Sequence, residues 1–308
     1  MAGAAPRAAR TSPAAAANAR LKVLYATAVG LCVMMVAWVV VTPGSCTAST
    51  STVPPMGEAD GRHPNDEAVA AAIARYVPVT LVTKYHAHPE VCAAHVLPSV
   101  MWSVLAPTQL HPRLRRACPR AHRICGRMLI AVAGLMTGGY AIIHRRGLHF
   151  HANDFPSLAR GEALSALAPG LWERLGGGGR AGAIAAFIAF EHCAAGWFAG
   201  TAAMTLISAV RRQPRRLLAH RAWAVRHVAA GLSVAMQRVL IFVAHGACAG
   251  AAWLLPGHAA RTCTTPEVQK GIFADALVLG TALCLGAAEL AVCDMRHVWG
   301  ATAAVKRE

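Results

Sequence analysis

The sequence predicts an all-α integral membrane protein, a bundle of about six transmembrane helices, and three observations carry that expectation. Charged residues make up 14% of the 308, against roughly a quarter in an ordinary soluble domain. Apolar residues make up 56%, more than a water-soluble globule of this size could hold without exposing large apolar patches. Lys and Arg are dense and sparse by turns along the chain, changing with each apolar stretch.

Residues 1–22 form a basic N-terminal segment that is free of acids and rich in Ala, Arg and Ser, a composition an organelle transit peptide also has. The first span, 23–41, carries no charge and has Trp38 near one end, where an interfacial aromatic belongs. Residues 42–90 read as an exterior loop. Its Ser/Thr/Pro-rich start cannot build a core, and 66–85 fits either an interfacial amphipathic helix or plain loop.

The membrane bundle proper occupies 91–296. The second span, 91–110, is interrupted by Pro98 and Pro107, and the third, 128–143, is short. Proline inside a span is tolerated where neighbours satisfy the freed carbonyl, so kinked helices packed inward are expected here. Gly176–Gly179 is a flexible joint and no phosphate loop, because no Lys-Ser/Thr follows it. The fourth span, 181–210, and fifth, 228–255, are long enough to tilt or overhang. The sixth, 272–293, closes the bundle ahead of a short tail, 297–308. Small residues in the last three spans, among them Gly196, Gly200, Gly246, Gly250, Gly280 and Gly286, are expected to let helix backbones approach closely.

With six spans, one face of the membrane collects 19 of the 30 Lys and Arg, within 70 residues that include both termini. The positive-inside bias then places both termini on the cytoplasmic side. The same placement argues against nucleic acid as a partner and for membrane lipids. The basic clusters hug helix ends and lack the interleaved aromatics of a stacking platform. No CxxC or CxxCH occurs among the ten cysteines, so neither a zinc ribbon nor a c-type haem attachment is written. They read as small buried hydrophobes, with a Cys46–Cys263 bridge open in an oxidising lumen. Nucleophile elbow, zincin, Walker and dinucleotide motifs are lacking too, leaving hydrolysis and nucleotide chemistry without support.

Three segments stand out together: His95 followed by Ala106-Pro107-Thr108-Gln109; Arg115 with Pro119, His122-Arg123 and Gly126-Arg127; and His220-Arg221, Trp223 and Arg226 with Arg238. This order resembles the membrane family catalogued as domain of unknown function 2306, over roughly residues 90–296. The chain departs from that pattern at Ala106, where the family usually has Gly, and at Ala224, where it usually has Met. The resemblance implies a small multi-helix bundle and a set of marked residues. It implies no activity.

His122, Arg123 and Arg127, with His220, Arg221 and Arg226, fall at the cytoplasmic ends of the third and fifth helices. Together they could form a basic pocket for an anionic ligand or lipid head group, to which the forked Arg donors are suited; membrane anchoring by snorkelling arginines explains the same pattern. Polar residues inside the spans, His95, Glu191, Arg238 and Glu289, are costly there and mark candidate positions. Arg238 is expected to pair with Glu289, Glu191 to belong to a proton or substrate pathway, and Asp275 to be solvated.

A membrane b-type haem needs two imidazoles at matching depth. His192 and His245 lie about 17 Å and 15 Å from the outer ends of their helices at 1.5 Å per residue, and His122 with His220 or His227 could supply a second pair. Two function classes therefore stand: a non-enzymatic lipid-binding or transporting bundle, and an electron-transfer protein carrying b-type haem.

Overall fold

The computed structural model describes residues 12–41, 76, 85, 88–149, 180–210, 216–254 and 266–305. Every regular element among them is helical: α1 (Pro13–Val41), α2 (Pro89–Val91), a π-helical turn (Cys92–Val96), α3 (Leu97–Leu110), α4 (Pro112–Ala117), α5 (Pro119–Arg145), α6 (Arg180–Val210), α7 (Arg216–Leu254) and α8 (Pro266–Val305). Six helical stretches are long and apolar enough to cross a membrane, α2 to α3 counting as one. The chain is an all-α, multi-pass integral membrane protein. The segment 66–85, open between helix and loop, lies outside the described residues except for Tyr76 and Tyr85, as do the Cys46–Cys263 bridge and the Gly176–Gly179 joint.

The helices run past the expected spans because apolar content marks only the lipid-facing part of each. The third span is 27 residues long, since Pro119 opens α5 at its first turn and draws the basic segment through Arg127 into the helix. Each span packs against the next in sequence, and α8 returns to α1, so six helices close a ring. The core takes residues from every span: Leu31 and Cys32 from α1, Trp102 and Ala106 from α3, Leu129, Val132 and Ala133 from α5, Ala202 from α6, Val228, Leu232 and Ala235 from α7, and Cys284 from α8.

The interrupted second span follows from Pro98. Proline has no N–H to give the carbonyl four residues back, that of Ala94, and the turn there widens to a π-helix. The freed carbonyl faces Gly139 of α5, where a Cβ would stand only 2.6 Å from the Ala94 oxygen. Glycine at 139 is what lets these two helices meet.

Of the glycines expected to mediate close packing in the last three spans, only Gly280 does so, against the α7 backbone at Ser233 and Gln237. Gly196, Gly200, Gly246, Gly250 and Gly286 face open space. The helix faces that meet are set by the ring order, which composition does not encode.

Two ends of the bundle are defined by cross-helix contacts. At the basic end Arg20 of α1 binds Asp294 of α8 (2.5 Å), and Arg221 of α7 lies over the Trp299 ring of α8 (4.8 Å to the centroid). At the opposite end Arg146 pairs with Glu90 at 3.2 Å, and His245 Nε2 meets the Tyr76 carbonyl at 2.8 Å. Cys92 and Cys248, both near this second end, are disulfide-bonded, so these two are not the inert small hydrophobes expected of them. Cys118, Cys125 and Cys293, toward the basic end, are free thiols.

Candidate functional site

At the basic end, α3 stops at Leu110 because His111 leaves helical geometry, and its side chain caps α4 by accepting from the Leu114 N–H at 3.2 Å. The short α4 carries Arg115 inward, while Arg113 and Arg116 stay exposed. Pro119 then starts α5, whose inward face presents His122, Cys125 and Gly126. From the other side α7 brings His220 and Arg221. His220 Nδ1 sits 3.1 Å from the Thr205 carbonyl of α6, so it carries the proton and donates, leaving Nε2 for other partners.

These groups lie within electrostatic reach of one another. Arg115 acts on His122, His220 and Arg221, and His220 acts on His122. Burial, with Arg116 beside it, holds the Arg115 guanidinium below its ordinary value, and it stays charged all the same. Neither Arg115 nor Arg221 meets a carboxylate among the described residues. The described carboxylates nearest this end are taken: Glu289 by Arg226 in a two-pronged pair at 2.6 and 2.7 Å, and Asp294 by Arg20.

A cavity of about 40 Å³ opens here, lined by Thr108, Gln109, Leu114, Cys118, Ala121, His122 and Cys125. That is room for two or three oxygen-sized groups at roughly 15 Å³ each. Two of its lining side chains carry buried nitrogens with no hydrogen-bond partner, Gln109 Nε2 and His122 Nδ1. Gln109 reaches the site because Gly126 has no side chain; a Cβ there would stand 3.0 Å from Gln109 Oε1. A buried donor without an acceptor costs about 1–3 kcal/mol, so an acceptor entering the cavity recovers that energy.

Of the six residues read from the sequence as ligand-binding, His122, His220 and Arg221 converge. Arg123 and Arg127 do not: one helix cannot aim positions 122, 123 and 127 the same way, and both arginines are exposed on the far side of α5. Arg226 also turns away, to Glu289 and to the Trp223 ring at 4.9 Å. Sequence reasoning missed Gln109 and Arg115 as site residues, although both stand in the marked motifs. Helix angle and the α4 turn decide their direction.

The intramembrane residues are placed differently from expectation. Arg238 does not pair with Glu289: it is about 18 Å further along α7 than Arg226, at 1.5 Å per residue, and the carboxylate belongs to the basic end. Instead Arg238 lies between the Trp38 and Phe273 rings, 5.0 and 5.1 Å from their centroids, and donates to Gln237 Oε1 at 2.6 Å. Arg238 and Glu191 both act on Tyr85, and Glu191 also acts on Tyr140, so the polar interior toward the opposite end includes two tyrosines the sequence did not single out. His95 donates from Nδ1 to the Met136 carbonyl at 2.9 Å, tying the π-turn to α5. Asp275 is not solvated as expected; its Oδ1 is buried without a partner.

The histidines weighed as haem ligands have separate surroundings. His192 Nδ1 meets its own helix at the Ile188 carbonyl (2.7 Å), and its ring packs on His144 at 4.9 Å and Tyr140 at 6.4 Å. His245 is engaged by Tyr76 through both its Nε2 and its ring. His227 has both nitrogens occupied in the core, Nε2 by Trp102 and Nδ1 by Phe198 and Thr201. His122 and His220 are neighbours, beside two guanidinium groups. Among the described residues no group of three or more His, Cys, Asp or Glu could hold a metal ion.

No family model, curated protein or solved structure matches this chain.

Proposed function

We propose that this multi-pass membrane protein binds an anionic ligand at its basic end, and that this end faces the cytoplasm. One observation carries the proposal: two buried nitrogens without partners, Gln109 Nε2 and His122 Nδ1, belong to side chains that line one cavity, and Arg115 and His220 lie within electrostatic reach of that His122. Anchoring to lipid phosphate accounts for exposed arginines such as Arg123 and Arg127. It does not account for Arg115, half-buried and turned inward beside Arg221, since bringing like charges together costs energy unless an anion neutralises them.

The orientation rests on two independent features. Lys and Arg concentrate at one end, as cytoplasmic loops require. Disulfide-bonded Cys92 and Cys248 lie at the other end, as an oxidising compartment requires, while thiols stay free near the basic end. The motif resemblance to domain of unknown function 2306 fits the same picture, since its marked residues Thr108, Gln109 and His122 line the cavity.

The experiment is lipid binding by the full-length protein in nanodiscs of neutral lipid doped with anionic lipid. R115Q, H122Q and R221Q should each reduce anionic-lipid retention, and added salt should reduce it further. R123Q and R127Q should leave it unchanged. Equal losses in all five variants would reduce the basic end to simple anchoring.

A further inference from the structure

We infer that the end of the bundle opposite the basic one carries a pH-sensitive clasp, built from the imidazoles of His144, His149 and His192. It rests on contacts independent of the anion site.

The turn after α5 makes the clasp. Gly147 has a φ of 68°, which glycine adopts without steric cost, and the chain reverses there. The Gly147 N–H donates to the His144 carbonyl at 3.0 Å and the Leu148 N–H to the Ile143 carbonyl at 2.9 Å, the bond pattern of a glycine-ended helix. This reversal lays the His149 ring against that of His144, with centroids 4.5 Å apart and planes 12° apart. His192 of α6 meets the same His144 ring edge-on at 4.9 Å. Three imidazoles from two spans therefore touch in a row, with His144 in the middle.

Charge decides whether this row holds. Neutral rings at these spacings attract, whereas charged rings repel, and imidazole is the side chain that changes charge between about pH 8 and pH 5. His192 donates from Nδ1 to the Ile188 carbonyl at 2.7 Å, which leaves Nε2 to take a further proton.

The groups facing the row offer little to offset added protons. On α5, Arg145 and Arg146 are positive, and Tyr140 packs on His192 at 6.4 Å. On α2, Glu90 is engaged by Arg146 at 3.2 Å and by His88 at 3.6 Å. In the π-helical turn, His95 is committed to the Met136 carbonyl, and α3 contains no titratable side chain. On α6, Glu191 acts on Tyr140 and can balance one proton. A second proton on the row has no such partner among the described residues, so acidification should drive His149 off His144 and release the turn at Gly147.

The test is hydrogen exchange of the full-length protein in nanodiscs at about pH 7.5 and about pH 5, values that bracket imidazole titration, with each rate corrected for the intrinsic effect of pH. The Gly147 and Leu148 amides report the clasp. Their protection should fall about tenfold on acidification. H149F keeps a stacked ring that takes no proton, so it should stay protected at both pH values. H149Q removes the ring and should be weakly protected at both. Equal protection of the parent at the two pH values would overturn the inference. So would a loss in H149F equal to that of the parent, because the acid response would then come from other groups.

Discussion

Trp102 of α3 donates its indole N–H to Nε2 of His227 on α7 across 3.1 Å, in the buried centre of the bundle. Because Nε2 accepts, the proton sits on Nδ1, which points to the Phe198 carbonyl and the Thr201 hydroxyl of α6, each at 3.3 Å. One imidazole therefore joins three spans, and no polar atom of the group is left over. This is why W102F should destabilise: it strands an acceptor in the core at a cost of about 1–3 kcal/mol. W102A adds a cavity and should cost about 3–5 kcal/mol. Thermal unfolding in detergent measures both, and a W102F variant as stable as the parent would remove the hydrogen bond from the account.

The indole also fills the space beside Gly231, where a Cβ would collide with the six-membered ring. G231A should lose about 1–3 kcal/mol through overpacking. G246A, at a position with nothing within 4 Å, should stay within about 0.5 kcal/mol of the parent. Comparable losses for the two would mean that helix packing at Trp102 is looser than the geometry shows.

Arg238 is a cation held by two aromatic rings and one amide, with its Nε unpartnered. Burying a charged group costs energy unless an opposite charge and hydrogen bonds compensate it, and a buried Nε without a partner adds to that cost. R238M should therefore match or exceed the parent in stability. A loss above about 3 kcal/mol would show that the guanidinium is required by the fold.

The ion pairs at the basic end should separate by burial. Glu289 is 55% exposed, so E289Q should cost under about 1 kcal/mol. Asp294 is 2% exposed and fixes α8 to Arg20 of α1; D294N should lower the unfolding temperature more than E289Q does. The reverse order would contradict the role of Asp294 in closing the ring.

Topology is tested with a membrane-impermeant maleimide. Exposed Cys118 should label from the cytoplasmic side without reductant, whereas Cys92 and Cys248 should label only after reduction and from the opposite side. Labelling of Cys118 from the side that reaches reduced Cys248 would overturn the proposed orientation.

The sequence by itself determined the lipid-facing character of the chain, the six spans and the uneven charge at their ends. Those properties follow from composition and one-dimensional order. It also marked His122, His220 and Arg221, because their side chains face one corner once the helices stand side by side. Tertiary structure alone decided the rest. Arg123 and Arg127 share a segment with His122 yet occupy another face of α5, while Gln109 enters the cavity only because Gly126 leaves room for it. Arg238 and Glu289 look complementary in sequence but differ in depth, so each has taken a nearer partner. His227 reads as a candidate ligand until Trp102 is found on its Nε2. Periodicity fixes which residues lie on one helix face, whereas the ring order and the depth of each helix fix which faces meet.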